Sequence, residues 1–507
     1  MAALANGGRS GAMRDRGKRL GAALLLAMVV GGGGPAAATG QVSKRLERIE
    51  AAYEAEDCKT VVALGAPILD GKGGKALPPD LEAWLYDAVV GCEAELDLDS
   101  YYAHALRGTA NETASDYLWR ARLAGELQAK KHEAAVATVE AMLQGRGAAL
   151  NAIPAVWMAT LDRQLKDGGK TDLRRRLLKP LIGSYAPEGD HGGADSFRYS
   201  YVLLLAEADK AQEARAIVRG LEAPSWIARA WLDPRLRNLF PEEPDIRAAT
   251  ERSLARYREA MARHPDRLDP LVRAAVKLRQ LGRPAEALRL LEQVAPRMGD
   301  PAAFTDYAQE VNWWWNEVAN AQWQLGRYDK AAAAFRKGAQ ALEGATLNVS
   351  QVINLAQLQN AHGHGEEALK TLAVFETSER KASAYGQMAM RYNRACAHAV
   401  AKRPGDAAAD LAYIQTNSKD APGMLGSLLL CLGDLDGAAA DYIGRLDDPE
   451  TRSEALLELS DYDDPPVKVP LDPAAARVPA LKARTDVKAA IARAGGIRRF
   501  RVQADSL

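Results

Sequence analysis

The chain has 507 residues, and its 66 Lys and Arg balance 66 Asp and Glu, so no global basic field points to nucleic acid or an anionic membrane as a partner. Hydrophobic residues make up 48% but aromatic ones only 6%. Ala and Leu, both strong helix formers, carry most of that share, while the Val, Ile and Thr runs that favour strands are nearly absent. Composition therefore predicts an all-α protein, long enough for several cores or for one extended solenoid.

At the N-terminus Arg9, Arg14, Arg16, Lys18 and Arg19 precede an apolar run from Leu20 to Val30, followed by GGGGPAAATG. Ala36-Ala37-Ala38 fits a small-residue cleavage site, and the run is shorter than the ~20 apolar residues of a membrane helix. A cleaved export signal is expected over residues 1–38, with a mature chain from near Thr39 that has no integral membrane segment; an uncleaved anchor or leader is the alternative. Met13 begins a more compact signal, so Met1 and Met13 both fit as the start. Removing 1–38 takes away five basic residues and Asp15, leaving 61 against 65, a balance of −4.

Export makes the four cysteines worth weighing. Cys58 and Cys92 fall in neighbouring predicted helices, where a bridge would be worth roughly 3–4 kcal/mol; burial as two small apolar thiols is the other possibility. Cys396 and Cys431 fall at different heights on their helices and are expected to stay unpaired.

Residues 39–186 read as an N-terminal repeat-like helical region. KRLERIEAAYEAED (44–57) is helical, and Asp57 can cap a second helix, CKTVVALGAPIL. GKGGKALPP breaks the chain, and alternating helical patterns with short charged turns follow. Residues 187–197, around PEGDHGGAD, are expected as a Gly-rich loop. Residues 198–266 hold degenerate helical pairs, with Ala214 standing at a small-residue position.

Clear repeats occupy 267–446. Ala275/Ala287, Ala319/Ala331, Ala356/Ala368, Ala395/Ala407 and Gly426/Ala438 are each twelve residues apart. Small side chains at such positions let two helix backbones approach to the short end of the ~8–10 Å packing range. Four residues after each second member stands a bulky one: Leu291, Phe335, Leu372, Leu411, Tyr442. Five residues before it stands Gly282, Gly326, Gly363, Lys402 or Gly433, and at Lys402 the turn KRPGD is expected to shift its glycine to Gly405. A Gly-x-Tyr turn followed by Ala and an aromatic residue, as in LGRYDKAAAAF, resembles the tetratricopeptide repeat. The resemblance implies a right-handed superhelix of antiparallel helix pairs, a tetratricopeptide-like α-solenoid that scaffolds protein partners. Repeat spacings of 44, 37, 39 and 31 make it irregular.

Residues 447–507 read as a C-terminal cap and tail: an acidic helix, a Pro-rich linker, the helix TDVKAAIARAGG and one short strand in IRRFRVQ. Covering the apolar end of the solenoid is their expected use. Through DCKTVVALG, NVSQVINLAQLQN, LLLCLGDLDGAAA and LSDYDDPPV the chain also resembles an uncharacterised family of exported tetratricopeptide proteins from Gram-negative bacteria. That resemblance implies a periplasmic location and no known activity.

By the repeat's register Trp315 packs between helices, while Trp313, Asn316, Asn320 and Trp323 face the concave side. Asn354, Asn360 and Asn393 should face the same groove from the next repeats. Aromatic faces and amides suit a protein or extended peptide partner, although these Trp could equally fill packing gaps. In tetratricopeptide domains that clamp a C-terminal carboxylate, cations stand where this chain has Asn316, Ala389 and Asn393, so such capture is disfavoured. Asp190, His191 and Ser196 supply hydrolase-like groups, but on a Gly-rich loop without a nucleophile elbow; no catalytic residue is assigned. His362, His364 and His398 lack a matching acidic partner, and neither metal nor cofactor is expected. A periplasmic hydrolase, or a self-assembling structural element without a dissociable ligand, is the alternative to a binding scaffold, and oligomeric state is left open.

Overall fold

A computed structural model describes residues 36–72, 77–186, 193–341, 348–377 and 382–503. Among the described residues the chain is all-α apart from one two-residue strand pair, and it divides into two compact units, up to Tyr201 and from Val202 onward. No described helix is long and apolar enough to cross a membrane. The expected leader lies outside the described residues as far as residue 35. The first helix, α1 (Ala36–Glu54), runs across the expected cleavage point.

In the first unit helices come in antiparallel pairs: α1 with α2 (Cys58–Pro67), α3 (Pro79–Glu95) with α4 (Ser100–Gly108), α5 (Asp116–Gln128) with α6 (His132–Gly145), and α7 (Ala155–Asp167) with α8 (Thr171–Ser184). Asp57 caps α2 as its position suggests, accepting from the Thr60 amide at 3.1 Å. Gly65 lets α2 lie against α3, since a Cβ there would meet Val89 at 2.5 Å. Beside this crossing Cys58 and Cys92 are bridged, with Cα atoms 4.8 Å apart. Residues 187–192 of the expected loop lie outside the described residues. From Gly193 the chain is already helical, as α9 (Gly193–Glu207), because FRYSYVLLL supplies apolar positions on a helical period.

One turn recurs between paired helices in both units. A single residue takes a left-handed conformation at Glu56, Asp97, Lys130, Gly169, Asp209, Gly282, Gly326, Gly363, Lys402 and Gly433. In each case the next amide donates to the carbonyl five residues before it, from Asp57 to Ala52 (2.8 Å) through Asp434 to Leu429 (2.9 Å). This is the Schellman closure, which satisfies the last carbonyls of the first helix while reversing the chain. The expected shift at Lys402 does not occur. Lys402 itself takes φ 63°, and Gly405 is not among the positive-φ residues. Moving the reversal three residues on would break the close approach of Ala395 to Ala407, which are 0% and 1% exposed.

The second unit continues with α10 (Ala211–Val218), α11 (Pro224–Leu232) and α12 (Ile246–Arg263), then the regular pairs. These are α13 (Asp269–Gln280) with α14 (Pro284–Glu292), α15 (Tyr307–Gln324) with α16 (Tyr328–Gln340), and α17 (Val349–Ala361) with α18 (Gly365–Leu372). Two more follow, α19 (Ala384–Val400) with α20 (Ala408–Thr416) and α21 (Pro422–Leu432) with α22 (Leu435–Asp447). Every small residue of the twelve-residue spacing is buried, and Leu291, Phe335, Leu372 and Tyr442 are at most 2% exposed. Gly426 favours glycine, because an added Cβ would come within 2.9 Å of the buried Tyr442 ring.

Cys396 and Cys431, expected to stay apart, are bridged, with Cα atoms 5.7 Å apart. They differ by four positions in the repeat register, about 6 Å along a helix. The bridge therefore requires that α19 and α21 do not pack in equal register.

After α23 (Arg452–Leu459) the C-terminal segment does more than cap the last pair. β1 (Asp461–Tyr462) pairs in parallel with β2 (Arg499–Phe500), and between them α24 (Val478–Ala483) and α25 (Thr485–Arg493) pack on α22. The rest lies along the ends of the first helices. Val467 would crowd a Cβ at Gly326, Arg477 donates to the carbonyls of Leu430 and Cys431 (both 3.1 Å), and the Gln503 amide donates to Gln280 O at 2.9 Å. Arg237 reaches Gly495 O at 3.0 Å and Arg247 reaches Arg501 O at 3.2 Å. The segment therefore ties the last part of this unit to its first.

Candidate binding groove

The three consecutive tryptophans of α15 separate as a helix requires, at about 100° per residue. Trp314 is 3% exposed, with its indole N–H on Leu291 O at 3.2 Å. Trp315 is half-buried between two pairs, with Lys337 Nζ 4.7 Å from its ring. Trp313 is left 38% exposed. It stands at the rim of a cavity of about 850 Å³ formed by the first helices α15, α17, α19 and α21 together with α23. Ile353, Asn354 and Gln357 come from α17; Tyr385, Ala389, Tyr392 and Asn393 from α19; Met424 and Ser427 from α21; Glu454 and Glu458 from α23. Asp420, just before α21, completes the wall.

Of the residues expected to face a groove, Trp313, Asn354 and Asn393 line this cavity, while Asn316, Asn320, Trp323 and Asn360 do not. Asn316 is 7% exposed, and its amide belongs to a ladder between neighbouring first helices. Arg279 Nε donates to Glu317 Oε2 at 2.7 Å, with both side chains buried. Glu317 Oε1 accepts from Asn316 (2.9 Å) and Asn320 (3.4 Å), and Asn316 Oδ1 accepts from Asn354 (2.8 Å). A buried carboxylate needs such donors, so the amides of Asn316 and Asn320 are spent on it. Trp323 packs against the Ala319–Ala331–Phe335 cluster instead of open space. Asn360, 1% exposed, donates to Asn393 O at 2.9 Å. Asn393 in turn donates to Ala389 O at 2.9 Å, and its Oδ1 has no partner among the described residues.

Tyr385, 63% exposed, together with Tyr392, Asp420, Glu454 and Glu458, was not expected at the groove. A signal existed for Tyr392, which precedes Ala395 by three, as Asn316 precedes Ala319. Its hydroxyl donates to Asp472 Oδ1 at 3.2 Å, and burial pushes the phenol well above its ordinary pKa. Burial also raises the Asp472 carboxyl. Tyr385 lies before the register begins and the acids belong to irregular segments, so spacing could not mark them.

Titration is also displaced on α13 and α15. Burial, reinforced by Asp269, raises Glu310 to about 7, and burial with Arg273 nearby lowers Lys277 to about 8. Of the hydrolase-like groups, Asp190 and His191 lie outside the described residues and Ser196 is in the first turns of α9. His362 and His364 have rings 6.4 Å apart, and the Tyr328 ring contacts both, at 4.3 and 5.1 Å. His398 Nδ1 lies 3.8 Å from Asp406. No group of three His, Cys, Asp or Glu gathers to hold a metal among the described residues.

No protein-family model and no curated protein matches the chain. Among solved structures it is similar to a Rap protein complexed with Competence and Sporulation Factor, at 11% identity over 82% of this chain and 99% of that one, with a TM-score of 0.34. It is also similar to the APC/C hetero-tetramer Cut9–Hcn1, at 11% identity over 89% and 96%, with a TM-score of 0.29. A third is Naa15/Naa10 bound to HypK-THB, at 13% identity over 89% and 87%, with a TM-score of 0.21. At TM-scores of this size the fold rests on the helix pairs of the chain itself.

Proposed function

We propose that this chain is an exported helical scaffold that binds a protein partner, or an extended peptide segment of one, in the groove carrying Trp313 and Tyr385. The observation that carries this reading is the pair of large aromatic side chains left exposed at a cavity of about 850 Å³. Exposed aromatics at a concave site are the anchors on which interfaces concentrate their energy. Asn354, Gln357 and Asn393 add amides that can meet a peptide backbone. Export draws support from the basic–apolar–small N-terminal pattern and from the two bridged cysteine pairs, which persist in oxidising compartments such as the periplasm. N-terminal sequencing of the exported protein tests that part, with Thr39 as the expected start.

Groove binding is tested by panning a random nonapeptide library on phage against the wild-type protein and Trp313→Ala/Tyr385→Ala, after matching their thermal midpoints. Sequences enriched on the wild type and lost on the double variant support the reading. Equal enrichment on both moves the site elsewhere, and no enrichment on the wild type defeats the peptide-groove reading.

A further inference from the structure

We infer that the groove selects a basic occupant, an extended segment whose Lys or Arg side chains lie at the α21–α23 end. The inference rests on the groove reading above and adds the chemistry of the partner. Three carboxylates, Asp420, Glu454 and Glu458, line the cavity, and no Lys, Arg or His does so among the described residues.

The cations of neighbouring helices do not offset all of that charge. Arg445 is committed to Glu458 through both terminal nitrogens, at 2.8 and 2.6 Å. Arg391 and Arg394 converge on Asp410, at 3.0 and 2.6 Å. Arg229 stands 3.9 Å from Glu454, at the edge of contact, and Asp420 is exposed with no ion pair among the described residues. Asp420 and Glu454 therefore present negative charge to whatever enters.

A second observation has the same sign. Asn393 is 4% exposed and lines the cavity, and the atom it leaves without a partner is the acceptor Oδ1. An ammonium, a guanidinium or a peptide N–H supplies donors only, and so fits a wall that carries the carboxylates of Asp420, Glu454 and Glu458. At the rim, the exposed rings of Trp313 and Tyr385 add faces on which a cation is attracted. An acidic or phosphorylated segment would instead meet like charges while losing water.

The test uses the same nonapeptide library. Selection on the wild-type protein is expected to enrich Lys and Arg at least twofold over the unselected pool and to deplete Asp and Glu. A fluorescein-labelled selected peptide should bind Asp420→Asn/Glu454→Gln about tenfold more weakly, the scale of two partly exposed ion pairs. Its affinity for the wild type should fall as salt rises. Asp329→Asn/Glu292→Gln, which removes two exposed carboxylates from second helices, should bind it as the wild type does. Neutral or acidic selected peptides that still need Trp313 and Tyr385 would overturn the charge inference and leave the groove standing. So would equal weakening by the two carboxylate variants. An absence of enriched peptides would overturn both.

Discussion

Lys402 gives a direct test of how the helix pairs are closed. It is exposed, takes φ 63° and makes no side-chain hydrogen bond or ion pair among the described residues. Replacing it with glycine therefore removes a backbone cost and little else. A left-handed non-glycine residue costs about 1–2 kcal/mol, and the extra freedom glycine gives the unfolded chain returns about 0.4–1 kcal/mol of that. Lys402→Gly should stabilise the protein by about 0.5–1 kcal/mol, or roughly 1–2 °C in a unit of this size. Lys402→Ala keeps the strain and should change little. Gly405→Ala is the counter-experiment. Gly405 has no positive φ and an added Cβ meets nothing within 4 Å, so the change should be neutral or mildly stabilising. Urea midpoints of the three variants and the wild type decide the matter. If Gly405→Ala destabilises while Lys402→Gly brings no gain, the reversal sits at Gly405 and the turn assignment is wrong.

Ala331 is 0% exposed at its crossing with Ala319, so Ala331→Trp should cost ~1–3 kcal/mol or more by overpacking; an unchanged melting temperature would contradict the helix-pair register. Glu317→Ala deprives buried Arg279 of the carboxylate 2.7 Å away and should cost ~3–5 kcal/mol, read from denaturant midpoints. Glu310 is held near 7 in the folded protein by burial and then by Asp269. The native state thus keeps its proton longer than the unfolded chain does. The resulting stability is present below about pH 4.5 and lost as pH rises through 7. Glu310→Gln should therefore gain on the wild type between pH 4.5 and pH 8, and a pH-independent difference would contradict the assignment.

The repeats were legible because a close helix crossing tolerates only small side chains, and Ala319/Ala331 or Ala356/Ala368 announce that constraint. Turns were legible where the left-handed residue is glycine. At Glu56, Asp97, Lys130 and Asp209 the same turn is built from residues common in any loop, so the earlier pairs lacked landmarks. Asp162 and Arg174 illustrate the loss further. They stand twelve residues apart, where later pairs place two small residues, and meet instead as a buried ion pair at 2.8 Å. The groove was partly legible: register picks out Trp313, Asn354 and Asn393, yet a single sequence does not reveal that Glu317 consumes the amides of Asn316 and Asn320. The C-terminal segment has no period to read, and its contact between Gln503 and Gln280 spans most of the second unit.

The central claim is that the cavity carrying Trp313, and not the cluster holding Trp323, is the binding face. Trp313→Ala and Trp323→Ala, each measured for thermal midpoint and for affinity toward a selected nonapeptide, test it most directly. Trp313→Ala should lower the midpoint less than Trp323→Ala does, because the Trp313 side chain keeps 38% of its surface in solvent and so gives up less buried area. It should weaken binding by tenfold or more, as an interface anchor does. Trp323→Ala should lower the midpoint through lost packing. A Trp313→Ala protein that melts early and binds its peptide as the wild type does would contradict the account.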